Sequence, residues 1–559
     1  MVPRMMATLI SYEDERRSIT EAYGKQHSFS YFDKNAEQDA EELNVGENEA
    51  RRLPSNRLRL SDAAGKGAAL LMYPSMELAS CVEWPQYPEE MDLTGLVAKT
   101  ALTIESRFRS LLADQGYQLD DFIDSDDRID ASWYIRAVAL IDGASNAEAL
   151  FCEIERDESL SSAERHLAAE WRECALKPIH DMGTLPTSFF DTLAAIAIAS
   201  PAMCAMRTFN LCQKGESSAQ LLGYRFATAF VRKVNTPAGT LAVDSGLSNV
   251  EGRYSSQWSR VLWYCAFGNL QSVLDEYGHL LDLRRNADAV CHDMIGDNVS
   301  RFKGPSLYTM HSHYDVDTLS SFKASPDSDN KTALKLRTGF AAAFLEDEGG
   351  NKSSNHRENL RRAFNSPFRP FVLASTSIGQ EGLDFHTYCR KIVHWNLPSN
   401  PIDLEQREGR INRYENMAIR QNLSQSSTVP YNAGEDLWEA MFEDQERSLA
   451  AEMELRSNSD NVPKLAGLAP HWGLPSYSDG GVKIERHTYM RRYGVSEQRY
   501  KRLINSLILY RAVLGQPRQE ELLSKLSQTT DVDTIRSLFL SLAPFNHSEE
   551  IEGSDRVEQ

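Results

Sequence analysis

The spacing of apolar residues divides the chain into a long helical stretch and a shorter α/β stretch. Between residues 92 and 283 apolar side chains recur at helical spacing, beginning with Leu93, Leu96, Val97, Ala101 and Ile104. The most apolar part, residues 189–206, is interrupted by Asp191 and Pro201, which predicts a buried helix capped by Ser188 and not a membrane span. Residues 69–75 form a short apolar run that predicts a buried strand ending at Pro74.

The α/β pattern is clearest in residues 371–413. An apolar run at 371–374 is typical of a buried parallel strand, and a loop at 375–384 follows it. Residues 391–395 predict a second strand, after which Asn400 is placed to cap a helix that has Pro401 at its first position. On that helix Gln406, Arg410 and Arg413 have the spacing i, i+4, i+7, which predicts that they share one face.

The two sequence motifs of this stretch resemble those of a known family. The loop, with Ser375, Thr376, Gly379, Gly382 and Asp384, resembles motif V of superfamily 2 helicases and Swi/Snf-type translocases. Residues 406–413, QREGRINR, resemble motif VI, Q-x-x-G-R-x-x-R, and the lead-in NLPSNP is similar to a segment of the same group. Close resemblance covers residues 334–421. It implies the second of two RecA-like domains of an ATP-dependent motor.

The chemistry of the residues agrees with this resemblance. Guanidinium groups at Arg410 and Arg413 are suited to a triphosphate held by a facing domain, where arginine stabilises the charge that develops during phosphoryl transfer. The resemblance implies that Gln406 orients groups around the nucleotide and that Asp384, with Gly382 and Gly409, lies near it. Loop amides and the hydroxyls of Ser375 and Thr376, next to Gly379, are suited to a nucleic-acid phosphate.

A simpler interpretation of the same helix is a surface element. In that case its arginines pair with Glu405 and Glu408 as solvated charges.

Taken together, the patterns predict a mixed fold. An α/β RecA-like domain with a parallel sheet is preceded by a large, mostly helical domain and followed by a helical C-terminal extension. The expected boundaries are a polar lead-in with a short α/β segment at 1–91, the helical domain at 92–300, the RecA-like domain at 301–422, the extension at 423–545 and a disordered acidic tail at 546–559.

Charge and cysteine content bear on the partners of the protein and on the compartment in which it works. The net charge of −20 is unusual for a nucleic-acid binder, so phosphate contact requires a local basic patch. Residues 483–518 are the best candidate, because arginines that include Arg491 and Arg492 alternate with tyrosines; a solvated helix face fits equally well. Eight scattered cysteines without a C-x-x-C pair, and acidic residues at 13–15 in place of a signal peptide, favour the cytoplasm.

The other half of the motor is not evident in this sequence. Gly65-Lys66-Gly67 lacks the first glycine and the hydroxyl of a Walker A loop. Residues 273–279 mimic a DExH motif, but their spacing predicts a helix with Asp275 and Glu276 on its outer side. His311, His313 and Asp315 alternate as metal ligands would on a strand; a polar edge strand is the commoner reason for such a pattern.

These observations lead to two functional hypotheses. In the first, the chain is the C-terminal half of an ATP-dependent helicase or translocase, inactive alone. ATP and Mg²⁺ are then shared with a partner or chain segment that carries the first RecA-like domain. The polymer along which the motor moves is nucleic acid, with DNA favoured over RNA. In the second, the chain is a non-catalytic module that binds nucleic acid or a motor protein.

Overall fold

The computed structural model forms two compact units. It describes residues 65–87, 89–123, 129–160, 162–234, 242–244, 246–247, 257–295, 312–316, 334–338, 361–362, 364–368, 372–373, 384–456, 468–474, 481–489, 495–537 and 540. The N-terminal unit comprises Val2–Ala343 together with Pro430–Trp438, and the C-terminal unit comprises Phe344–Val429 and Glu439–Gln559.

The N-terminal unit is built mainly of helices. In chain order they are α1 (Gly65–Met72), α2 (Met76–Ala79), α3 (Leu93–Asp114), α4 (Asp120–Ile123), α5 (Trp133–Asp142), α6 (Ala144–Arg156), α7 (Ser162–Ala175), α8 (Phe189–Ala199), α9 (Pro201–Asn210), α10 (Ala219–Val234), α11 (Gln257–Phe267), α12 (Leu270–Leu280) and α13 (Ala287–Ile295). Its core includes an aromatic group in which Trp133 packs edge-on against Phe108 and Phe122.

The apolar pair α8 and α9 forms part of this core. Phe189–Asn210 has the length and hydropathy of a membrane span, but 83% of its most apolar window is buried within the protein, as in a core helix. Pro201 starts α9, and the Ser200 side chain caps it by accepting from the Met203 N–H at 3.3 Å. The predicted buried helix is therefore present, although Ser188 makes no side-chain cap and has a left-handed φ of 54°.

Residues 69–72 are helical, and the predicted buried strand is wrong. They lie in α1, where Ala69, Leu70, Leu71 and Met72 are almost fully buried. A short apolar run that is buried on every side has no period, so it suits a core helix as well as a core strand. The burial was predicted correctly, and the type of element was not.

A separate strand pair follows α13 along the chain. Strand β1 (Ser312–Val316) pairs antiparallel with β2 (Leu334–Thr338), with Tyr314 opposite Leu336. The predicted RecA-like domain at 301–422 was expected to have a parallel sheet, but β1 and β2 pair antiparallel. His311 lies outside the described residues, and the side chains of His313 and Asp315 are likewise not described. The part of the chain that is described holds no cluster of metal ligands.

The C-terminal unit contains a parallel strand pair with helices. Strand β3 (Lys391–His394) pairs in parallel with β4 (Glu485–Thr488), and Val393 lies opposite His487. The helices are α14 (Pro401–Glu408), α15 (Met417–Ser426), α16 (Leu437–Arg456), which begins in the Pro430–Trp438 segment, α17 (Ser496–Ala512), α18 (Gln519–Thr529) and α19 (Val532–Ser537). The predicted strand at 391–395 is confirmed, whereas Val372 and Leu373, from the apolar run at 371–374, have no strand geometry.

Helix α12 has the predicted apolar face, but one of its carboxylates is not on an outer side. Asp275 is partly buried, and its Oδ1 accepts hydrogen bonds from Thr208 Oγ1 and from Gln271 Nε2, both at 2.8 Å. Burial raises the pKa of Asp275 to about 6. The DExH-like string is therefore a core helix with an enclosed carboxyl group.

We expect Asp275→Asn to stabilise the N-terminal unit at pH 8. The pKa of Asp275 is about 6 in the folded state and 3.8 ordinarily, so native stability increases as the pH falls from 6 towards 4. Asparagine keeps an oxygen for both donors and removes the charge. The free energy of unfolding should rise by about 1 kcal/mol at pH 8, and the pH dependence should weaken, in urea titrations. Glu173→Gln, on the exposed side of α7, is the control; equal pH profiles for wild type and Asp275→Asn would contradict the prediction.

Candidate functional site

The helix that carries the Q-x-x-G-R-x-x-R residues starts where the sequence predicts. Asn400 Oδ1 accepts from the Ile402 N–H at 2.9 Å, and Pro401 occupies the first helical position. Leu404 is fully buried against Leu503 and Leu507 of α17, which fixes the rotation of α14. Gln406 is exposed.

The same helix ends earlier than its periodicity predicts. Glu408 is its last residue and Gly409 its C-cap, so Arg410 and Arg413 lie in a series of turns and not on a helix face shared with Gln406. The prediction that the two arginines share one helix face with Gln406 is therefore wrong. The physical reason is the burial of Ile411, whose side chain lies in an apolar cluster with Phe364 and Phe385. A helix that continued straight would not place Ile411 in that cluster. At Gly409, an added Cβ would lie only 3.1 Å from the Glu405 carbonyl oxygen.

The end of the predicted motif V loop lies directly against the arginine segment. The Phe385 N–H donates to the Arg410 carbonyl oxygen at 2.9 Å. Arg413 Nε lies 3.2 Å from Asp384 Oδ1, and both side chains remain more than 40% exposed. We call these two contacts, with the Phe385–Ile411 packing beneath them, the loop–arginine clasp. It brings Asp384, Arg410 and Arg413 together in the C-terminal unit.

Several predicted site residues cannot be placed. Those that lie outside the described residues are Ser375, Thr376, Gly379, Gly382, Arg491 and Arg492. Their assignments to nucleotide and nucleic acid stay predictions.

The glutamates of α14 are paired with arginines from outside the motif. Glu408 accepts two hydrogen bonds from Arg486 on β4, at 2.5 and 2.6 Å, and His394 Nε2 on β3 lies 3.2 Å from the same carboxylate. Glu405 pairs with Arg511 of α17 at 2.6 Å. The simpler interpretation pairs these glutamates with Arg410 and Arg413, whereas the contacts just described pair them with Arg486 and Arg511.

The Glu408 carboxylate is held in its charged form. Burial raises its pKa, but the hydrogen bonds from His394 and Arg486 outweigh burial and lower the pKa below its usual range. This ion pair joins α14 to both strands of the parallel pair. Sequence reasoning missed it, because Arg486 had been grouped with the basic residues expected to contact nucleic acid.

A stack of rings supports the chain just after Arg413. His471 lies between Tyr414 and Phe442, with ring centroids 4.9 Å from each and nearly parallel planes. Its Nδ1 is 2.7 Å from Glu415 Oε1, and its carbonyl oxygen accepts from the Glu415 N–H at 2.8 Å. The hydrogen bond to Glu415 is the largest of the effects that raise the pKa of His471. We call this group the His471 stack.

A buried arginine ties the two segments together from below. Arg420, on α15, is fully buried and donates to the carbonyl oxygens of Glu415 and Thr387. Burial lowers the pKa of the neighbouring His386; the charge of Asp384 opposes this shift, and the charges of Arg420 and Arg413 add to it. Nothing in the local sequence distinguished Arg420 from a surface arginine.

Strand β3, the capped helix α14 and the clasped arginine segment all lie in a stretch that is similar to helicase C-terminal domains. Residues 318–415 match the family model described as the helicase conserved C-terminal domain. The match includes β3, α14 and both arginines of the clasp. No curated protein and no solved structure matches the chain.

We expect Glu408→Gln to loosen the parallel strand pair. The substitution leaves Arg486 without a charged partner and weakens the bond to buried His394, a loss of about 2 kcal/mol. Hydrogen exchange should therefore accelerate at the Glu485 and Tyr489 amides, which bond to the carbonyls of Arg390 and His394. Glu497→Gln removes an exposed ion pair with Lys501 and serves as the control. Unchanged exchange in Glu408→Gln would show that the ion pair does not hold the strands.

We expect the His471 stack to weaken in alkaline solution. A histidine whose pKa is raised above 6.5 in the folded state stabilises that state fully below 6.5, and the contribution disappears as the pH rises through the folded value. The stability difference between wild type and His471→Gln should therefore be larger near pH 6 than near pH 9. Thermal unfolding gives this difference, and an imidazole NMR signal that is lost in the variant gives the titration. A signal that titrates below 6.5 would contradict the prediction.

Proposed function

We propose that the C-terminal unit acts as the second RecA-like half of a superfamily 2, Swi/Snf-type ATP-dependent helicase or translocase. In this proposal Arg410 and Arg413 stabilise the transferring phosphoryl group, and Gln406 orients groups around it. Asp384, Gly382 and Gly409 line the nucleotide. The residues proposed to hold the nucleic-acid backbone are Ser375, Thr376, Gly379, Arg491 and Arg492.

The observation that carries this proposal is the loop–arginine clasp. A motor must couple the state of its nucleotide to its grip on nucleic acid, and a direct bond between the two responsible segments is the shortest coupling. The Phe385–Arg410 bond and the Asp384–Arg413 ion pair supply such a link. A movement of the arginine segment towards a triphosphate would then displace the loop end.

The charge state of the arginine segment supports the same role. Arg413 is paired with one half-exposed carboxylate, and such a pair contributes little to stability. A triphosphate with Mg²⁺ offers denser charge and bidentate geometry, so exchange of the Asp384 contact for a phosphate contact is favourable. ATP and Mg²⁺ are proposed to be held mainly by a partner domain with Walker A and Walker B motifs, which this sequence lacks.

A second candidate is a non-catalytic module that binds nucleic acid or a motor protein. The observation that favours it is the charge of residues 481–502, where seven Lys and Arg residues occur with two Glu in a chain of net charge −20. A local basic stretch on an acidic protein is the pattern expected of a segment that contacts nucleic-acid phosphates. This candidate needs no hydrolysis.

The test is ATP hydrolysis by this chain combined with a first RecA-like domain that carries Walker A and B motifs. We expect nucleic-acid-stimulated hydrolysis from the mixture, and a loss of about 100-fold or more in Arg410→Ala and in Arg413→Ala. The matched control is Arg447→Ala, because Arg447 is well exposed on α16, where it contacts Asp444 at 3.6 Å and the Glu443 carbonyl oxygen at 3.3 Å on its own helix.

The two candidates give different outcomes. Full hydrolysis in Arg410→Ala would remove the proposed role of that arginine. Salt-sensitive binding of nucleic acid and of the partner domain, with no hydrolysis in any mixture, would support the non-catalytic module instead.

A further inference from the structure

Two large aromatic rings lie stacked on the surface at the end of the parallel strand pair. Trp395 follows β3 and Tyr489 follows β4, and their ring centroids are 4.6 Å apart with planes inclined by only 12°. Trp395 is 68% exposed and Tyr489 is 48% exposed. An exposed stack of this size leaves much apolar area in water, which is unfavourable unless a ligand covers it.

The register of the strands explains why the rings meet. His394 lies opposite Thr488, and the Tyr489 N–H donates to the His394 carbonyl oxygen at 3.3 Å, which continues the ladder to Trp395 and Tyr489. Because side chains alternate along a strand, Val393 falls on the same face as Trp395 and is 62% exposed. The rings are thus held by backbone pairing and not by a mobile loop.

The opposite face of the strand pair packs against the interior of the C-terminal unit. Ile392 packs on the Phe364–Phe385–Ile411 cluster, and buried His394 lies against Glu408. The clasp and the aromatic pair therefore occupy opposite faces of one strand pair. A ligand on the rings would not compete with the arginine segment.

The charge of the sequence around Tyr489 indicates the kind of ligand. Tyr489 lies within residues 481–502, the basic stretch of seven Lys and Arg against two Glu. Arg390 and Lys391, five and four residues before Trp395, add two basic residues at the start of β3, where both pair with Glu485. An apolar protein surface would gain nothing from this charge, whereas a polyanion with flat aromatic groups matches both features.

We propose that the Trp395–Tyr489 pair is a stacking platform for the unpaired bases of single-stranded nucleic acid. The proposal deepens the proposed function, because it assigns a base contact to the unit in which only backbone contacts were assigned. Stacking on an aromatic ring does not select one base over another, since every base has a π-face. A platform of this kind suits a protein that follows a strand of any sequence.

The test is binding of a fluorescein-labelled oligothymidylate to the full chain, without ATP or any partner, followed by fluorescence anisotropy. Trp395→Ala and Tyr489→Ala should each weaken binding by about tenfold, and Trp395→Phe should retain most of it. Tyr87→Ala is the control, because Tyr87 is a surface aromatic of the N-terminal unit. The same measurement with oligouridylate shows whether the platform accepts RNA as well as DNA.

A strand of abasic sites with the same length separates stacking from charge. Wild type should prefer oligothymidylate to the abasic strand, and Trp395→Ala should lose that preference. Equal binding of both strands by wild type would overturn the proposal, as would a Trp395→Ala variant that changes only self-association in gel filtration. Because the measurement needs no hydrolysis, its failure is distinguishable from failure of the arginine roles in the ATPase test.

Discussion

The loop–arginine clasp is the constraint on which the rest of the C-terminal unit depends. One backbone hydrogen bond, from Phe385 to Arg410, fixes the path of the chain after α14, and the Phe385–Ile411 packing buries its apolar side. Backbone bonds of this kind do not depend on side-chain rotamers, so the clasp keeps its geometry while Arg413 remains half exposed. Rigid backbone beneath the half-exposed Arg413 side chain suits the phosphate contact that we propose for it.

The elements around the clasp are arranged to support it. Arg420 binds the carbonyl oxygens on both segments from the interior, and the His471 stack holds the chain immediately after Arg413. Glu408 joins the preceding helix to both strands through Arg486 and His394. Each of these groups comes from a different part of the sequence. The clasp and the folded C-terminal extension therefore stabilise each other, although the family match ends at residue 415.

Sequence reasoning succeeded where the information was local. The Asn400 cap and Pro401 start of α14 depend on three adjacent residues, and the structure places them as predicted. The end of the helix was missed because burial of Ile411 against Phe385 is a tertiary contact that periodicity does not reveal. Tertiary contacts also explain two other wrong predictions. Helix α1 was predicted as a strand. Asp275 was predicted on the outer side of its helix, but Thr208 and Gln271 enclose its carboxylate.

The pairing of acidic groups argues most directly against a purely structural role for the arginine segment. If Arg413 served only stability, the nearest strong partners in the sequence would be Glu405 and Glu408 of the preceding helix. Those carboxylates are instead bound by Arg511 and Arg486, which the C-terminal extension supplies. Arg413 is left with a solvent-screened contact to Asp384, which a denser anion can replace. The fold thus satisfies its own glutamates with distant arginines and keeps the guanidinium of Arg413 accessible to an incoming anion.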